Sequence, residues 1–306
     1  MLAVLVFLWM VGGSIASPKR REIQGYHKSY LDGASGHGLV VTEHSLTKIG
    51  VPCLVVRPDP VAGMAKRGEI LRDQLADTGQ LLPAFGEEKG LLVLLHGRNG
   101  RKEDLLPVAE RFCAVGFVCV IPDLPAHGES PVRSVRFGVS FFEQVLPGKV
   151  ADETLELLGL KDLPQFLWGM SMGGSIAIHA AAHEPGRWKR AIIVSSFDRL
   201  DGVVEDSLGW AAEYLKPVLS GLIVMRGGPD IEKVIPVNLA QKLQLPTLVI
   251  HGDEDDSISH ERGRALYEGF AGEKEFLTVP GGDHENVLVT EAPVYAAMAK
   301  WFLNGL

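Results

Sequence analysis

Three cysteines in 306 residues, Cys53, Cys113 and Cys119, are too few for a disulfide framework. Cys113 and Cys119 lie inside apolar stretches, where a free thiol behaves as a small hydrophobe. Basic excess is missing as well. The formal charge is −8, and Lys19, Arg20 and Arg21 form only a short basic run, so a nucleic-acid partner, which needs a clustered basic surface, is not expected. No apolar run approaches the roughly 20 residues that a membrane-spanning helix requires, so no stable membrane span is expected. Repeats, charge blocks and low-complexity tracts are absent too, which argues against a solenoid or a disordered chain.

The N-terminus carries two opposed signals. Leu2 to Val11 is apolar and is followed by Gly12-Gly13 and Ser14-Ile15-Ala16, the core and small-residue site of a secretory leader over residues 1–17. Yet no Lys or Arg precedes that core, and the basic run follows it, on the side that tends to stay in the cytoplasm. Compartment is therefore left open between export and the cytoplasm, and residues 22–306 are taken as the folded domain.

What is present is the balance of a globular chain, 46% apolar against 22% charged residues, enough to bury a core. Val40-Val41 and Leu54-Val55-Val56 read as an antiparallel opening pair around Gly50. Continuous apolar runs then recur at 91–95, 117–121, 166–168, 191–194, 248–250 and 276–279, separated by amphipathic stretches. That is the pattern of an α/β fold, a mostly parallel sheet buried by helices on both faces. Residues 61–90 read as a surface insertion peripheral to the chemistry. Residues 197–245 are too long for a simple crossover and read as a small helical cap, broken at Pro217.

Chemistry concentrates at three places. Gly169-Met170-Ser171-Met172-Gly173 follows an apolar strand and opens an alanine-rich helix, so Ser171 is presented on a sharp strand-to-helix turn as a candidate nucleophile. A serine hydroxyl needs a base, and of the ten histidines His284 is best placed, in the turn after the last apolar strand. His96, His127 and His251 also follow strands, but their Gly neighbours suggest turn roles. The acid that orients the base belongs on the loop after the penultimate strand, where Asp255 is favoured and Asp256 is the alternative. This acidic cluster lacks the alternating ligands and closing glutamate of a calcium loop, so no metal is expected. Backbone N–H groups of Met172 and Arg98 are the expected oxyanion donors, with His96, Gly97, Asn99 and Met170 as substrate-binding neighbours.

Taken together, His96-Gly97, Asp123-Leu124-Pro125-Ala126-His127-Gly128-Glu129-Ser130, Gly169 to Gly174, Gly252-x-x-Asp255 and His284 resemble the α/β-hydrolase superfamily. The resemblance covers residues 39–306 and is nearest to the monoacylglycerol-lipase and serine-aminopeptidase-like branch. It implies the α/β-hydrolase fold, a Ser-His-Asp mechanism without cofactor, and a cap that shapes substrate choice. The expected reaction is hydrolysis of a small-molecule ester or acyl substrate through an acyl-enzyme. A peptidase or thioesterase of the same fold and a non-catalytic ligand-binding member are the alternatives, and the oligomeric state is left open.

Overall fold

Every central strand carries large apolar side chains on both faces, which only a sheet covered on both sides can bury. The computed structural model describes residues 2–290 and 293–306 and is organised around such a sheet. Helices α1 (Leu2–Ala16) and α2 (Gly25–Asp32) precede the antiparallel pair β1 (Leu39–Leu46) and β2 (Val51–Pro58). Helix α3 (Lys66–Asp77) and strand β3 (Gly90–Leu95) follow, then α4 (Leu106–Cys113), β4 (Phe117–Pro122) and α5 (Phe141–Leu158). The alternation continues through β5 (Gln165–Met170), α6 (Met172–His183) and β6 (Trp188–Val194). Helices α7 (Leu200–Leu208), α8 (Ala212–Met225) and α9 (Pro236–Ala240) interrupt it before β7 (Thr247–Gly252), α10 (His260–Gly269), β8 (Lys274–Val279) and α11 (Val294–Leu303).

The eight strands lie in the order β1-β2-β4-β3-β5-β6-β7-β8, parallel from β4 to β8. Register aligns Leu95 with Gly169, Met170 with Val194 and Gly252 with Val279, so the loops after β3, β5, β6, β7 and β8 leave one edge together. That shared edge is where the candidate residues collect. Within β3, Leu91, Val93 and Leu95 enter one core cluster with α5 and α6, while Leu92 and Leu94 enter the other with α4 and α11.

Two expectations need correction. Residues 61–90 are more than a surface excursion, because α3 buries Leu71 and Leu75 in the core cluster it shares with α4 and α11. Pro217 does not break the 197–245 segment either: α8 runs through it as one helix, with Pro217 in its sixth position. At that position the proline costs the helix one backbone hydrogen bond, the one to Glu213 O, without ending it. Helix α1 packs along α8, where an added Cβ at Gly12 would stand 3.3 Å from the Ile223 backbone. The Arg226 guanidinium lies 4.7 Å from the centroid of the Trp9 ring. No helix among the described residues is long and apolar enough to cross a membrane.

The burial of α3 has a measurable consequence. Leu75→Ala is expected to lower unfolding free energy by about 2–4 kcal/mol, as for other buried leucines. Ile70→Ala, on the exposed side of the same helix, is expected to change it by less than about 0.5 kcal/mol. Urea denaturation of both variants checks this, and equal losses would return α3 to the status of a surface decoration.

Candidate active site

Ser171 occupies the turn between β5 and α6 with φ 53° and ψ −118°, a left-handed conformation that a serine adopts only when its surroundings impose it. The imposing contacts are specific. The Ser171 N–H donates to Val194 O at 2.8 Å, and its carbonyl accepts from Gly174 N at 3.0 Å and Ser196 Oγ at 2.9 Å. Gly173 lets α6 press against the end of β3, since a Cβ there would lie 2.1 Å from Leu95 O. Ser171 is 8% exposed, at the start of a helix whose first N–H groups have no intrahelical partner. Met172, one of the expected oxyanion donors, begins that helix.

The other expected donor, Arg98, is exposed in a turn closed by Gly100 N donating to Gly97 O at 3.1 Å. Gly97 brings this turn against Ser171, an added Cβ standing 3.5 Å from Ser171 Cβ. Asn99 is exposed in the same turn and adopts φ 65°. Met170, half-buried at the end of β5, packs against the core cluster shared with α11. His96 departs from its expected substrate-binding role. It is buried, its Nδ1–H donates to Gly97 O at 2.8 Å, and its Nε2 accepts from Leu124 N at 3.1 Å. With both nitrogens engaged it braces the loop, and burial lowers its pKa to about 4, so it stays neutral near pH 7.

The acid and base loops meet directly. His284 Nδ1–H donates to Asp255 Oδ2 at 2.8 Å, while Asp255 Oδ1 accepts from Ser257 N at 3.0 Å and Ile258 N at 2.8 Å. Asp256 instead accepts from Ser257 Oγ at 3.4 Å and is exposed, so of the two alternatives Asp255 is the one that meets the imidazole. Burial alone would raise the Asp255 pKa. Hydrogen bonds from His251, His284 and the Ile258 amide outweigh it and hold the carboxyl well below the usual carboxylate range. Gly281 N donates to Asp253 Oδ1 at 2.7 Å and Glu254 N to Gly282 O at 3.0 Å, pinning one loop to the other. Gly252 permits the approach, because a Cβ there would lie 2.0 Å from Gly282 O. Asp283 then accepts from Glu285 N and Asn286 N, at 2.8 and 2.7 Å, and sets the turn that carries His284.

Several supporting residues escaped the sequence reading. Lys102 is fully buried, its Nζ 3.0 Å from Asp123 Oδ2 and 3.2 Å from Glu103 Oε1, which locks the loop after β3 to the loop after β4. The only hint of it was the run Arg101-Lys102-Glu103-Asp104 beside the Asp123 to Ser130 motif. Ser196, which holds the Ser171 carbonyl, carried no signal at all. A cavity of about 380 Å³ lined by Trp188, Leu239, Leu243 and Pro246 opens at the amino ends of the strands, away from Ser171.

With this geometry in place, comparison with known proteins is informative. A family model described as serine aminopeptidase, S33, matches residues 86–234. The Bacillus subtilis protein YqkD is 26% identical over 70% of this chain and 71% of its own. A thermostable monoacylglycerol lipase of Bacillus sp. (strain H-257) is 24% identical over 69% of this chain and 90% of its own. Among solved structures, an esterase of Pyrococcus furiosus superposes with a TM-score of 0.64 over 94% of this chain and 99% of its own, at 15% identity. Sheet order, the Ser171 turn and these likenesses agree: the chain has the α/β-hydrolase fold and is similar to hydrolases of the esterase and lipase type.

Proposed function

We propose that this protein hydrolyses a small-molecule carboxylic ester, with Ser171 as nucleophile, His284 as base and Asp255 as the acid that orients it. The observation that carries the reading is the 2.8 Å hydrogen bond from His284 Nδ1 to Asp255 Oδ2, at the same edge of the sheet as Ser171. It fixes the tautomer in which Nε2 has a free lone pair to take a proton.

The chemistry then balances with water as the only co-reactant. Ser171 Oγ attacks the ester carbonyl carbon while His284 Nε2 accepts the hydroxyl proton, and the carbonyl π pair moves onto oxygen. Amide N–H groups of Met172 and Arg98 receive that oxyanion, each such donor contributing roughly 2.7–4 kcal/mol to the transition state. Collapse expels the alkoxide, which takes the proton from His284 and leaves as an alcohol. Water, deprotonated by the same imidazole, attacks the acyl-enzyme, and collapse returns the proton to Ser171 and releases the acid.

Residues 197–245 act in this reading as a cap that limits which acyl chains reach Ser171. A peptidase acting on free amino termini would need an unpaired carboxylate there to hold the substrate ammonium. Glu205 already accepts from Arg199 at 2.6 Å and Lys216 at 2.5 Å, and Asp206 is paired with Arg262 at 2.5 Å. This favours an ester over an aminoacyl substrate, although the matched family model is named for serine aminopeptidases. The name of the monoacylglycerol lipase relative points to lipid esters.

Turnover of p-nitrophenyl acetate, butyrate and octanoate by wild type and Ser171→Ala tests the reading. The variant is expected to fall by about a million-fold or to background, and a fluorophosphonate is expected to label wild type at Ser171 alone. Wild type that neither labels nor hydrolyses any ester would instead make this a ligand-binding member. Faster cleavage of aminoacyl anilides than of aryl esters would make it a peptidase.

Asp255→Asn provides a test independent of substrate. Activity is expected to fall by about 10⁴-fold, as when such an acid loses its charge elsewhere. Because the Asp255 pKa is lowered on folding, its stabilising contribution is full above the unfolded value of about 3.9 and fades as pH falls below it. The stability gap between wild type and Asp255→Asn should therefore be constant from pH 7 to 5. Below about pH 4 it should narrow by up to about 1.4 kcal/mol per pH unit. Urea denaturation at pH 7, 5, 4 and 3 reads this, and a gap that ignores pH would mean that Asp255 is not held as a carboxylate.

A further inference from the structure

We infer that His251, the last histidine of β7, is a positioning residue that holds the acid loop and shares the Asp255 carboxylate with His284. The inference rests on the triad reading above and assigns a role to a side chain outside it.

His251 is fully buried. Its Nε2–H donates to Ile258 O at 2.8 Å, and the same nitrogen lies 3.4 Å from Asp255 Oδ2. Ile258 is also the residue whose N–H donates to Asp255 Oδ1. One imidazole thus grips both ends of a small ring: the Ile258 carbonyl, and the carboxylate that the Ile258 amide already binds. Oδ2, the oxygen that receives His284, is the same oxygen that faces His251.

The opposite edge of the ring is shaped just as closely. Nδ1 is buried with no partner among the described residues, and Gly263 of α10 lies against it, where a Cβ would stand 2.1 Å away. Any larger residue at Gly263 would push the ring off the Ile258 carbonyl. The titratable groups facing His251 are Asp255 on its own loop, His284 beyond that carboxylate, and His260 on α10, whose ring centroid is 6.1 Å away. Asp253, Glu261 and Arg264 act in turn on His260. Neighbouring β8 presents Thr278, which does not titrate.

Removing the Nε2 donor has a defined sign. Oδ2 loses a neighbouring N–H dipole that partly offsets its charge, so it stabilises the His284 imidazolium more strongly and the base protonates at higher pH. The loop also loses its anchor at Ile258, which misplaces the acid in the transition state more than it alters substrate binding. A residue that merely filled space would change stability and leave the pH profile where it was.

The experiment is the pH dependence of kcat and KM for p-nitrophenyl butyrate hydrolysis by wild type, His251→Leu and His251→Gln, with Ser171→Ala in parallel. His251→Leu is expected to lose about tenfold in kcat with KM within about twofold, and its acid limb is expected to move up by about half a pH unit. His251→Gln supplies an N–H near the position of Nε2 and is expected to restore both, to within about threefold in kcat. Should the leucine variant fail to fold, His251→Asn, too short to reach the Ile258 carbonyl, reads the same upward shift. An unmoved acid limb in whichever of these two variants folds, or a glutamine variant as impaired as they are, overturns the inference while leaving the triad intact. Undiminished activity of Ser171→Ala overturns the triad itself, and the role of His251 falls with it.

Discussion

Everything at the reactive edge depends on a backbone that turns too sharply at one residue. A non-glycine residue held at φ 53° and ψ −118° costs on the order of 1–3 kcal/mol, and that cost must be offset by contacts on all sides. At Ser171 two strands and the loop after one of them supply them. Strand β6 takes its N–H, Ser196 beyond β6 holds its carbonyl, and the end of β3 receives α6 through the gap at Gly173. The position of Ser171 is consequently set by the ends of β3 and β6 and by Ser196 just beyond β6.

The histidines illustrate how environment sorts identical side chains. His96, His127 and His284 follow strands, His251 lies in β7, and all four have a ring nitrogen bonded to the protein. His96 uses both nitrogens on backbone groups, and burial lowers its pKa to about 4. His127, also buried, donates from Nδ1 to Pro125 O at 2.8 Å, and its pKa falls to about 3, burial being the main cause with His96 adding to it. His251 is buried between an acceptor and a glycine. His284 differs by being partly exposed, with one nitrogen on a carboxylate and the other without a partner among the described residues. Of the four, His284 is the one whose ring is partly open to solvent, its side chain 22% exposed.

How far the sequence could be read follows from the same distinction between local and long-range causes. The central strands were legible because two buried faces demand continuous apolar runs, and the elbow was legible because its glycines are required by local geometry. Asp255 could not be separated from Asp256 by spacing, since the choice is made by where Val279 and Gly282 bring the partner loop. Lys102 and Ser196 were invisible for a related reason: a buried lysine looks like a surface lysine until Asp123 and Glu103 are seen to surround it. His96 was misread because a residue adjoining the oxyanion turn can face either the substrate or the scaffold. Pro217 misled in the opposite direction, a helix breaker by propensity that α8 carries in its interior.

The charges of the 197–245 segment link it mechanically to the acid. Arg262 on α10 donates to Asp198 at 3.0 Å and to Asp206 on α7 at 2.5 and 3.0 Å, so α10 and α7 move as one unless these bonds break. Single exposed pairs contribute only about 0.2–1 kcal/mol, but one guanidinium shared between two carboxylates also fixes orientation. The next residue along α10 is Gly263, which lies against His251, which in turn lies beneath Asp255. Three contacts, Asp206 to Arg262, Gly263 to His251 and His251 to Asp255, thus run from α7 to the carboxylate bonded to His284. Helix α8 joins the same network, because Lys216 pairs with Glu205 of α7 at 2.5 Å and lies 3.8 Å from Asp201.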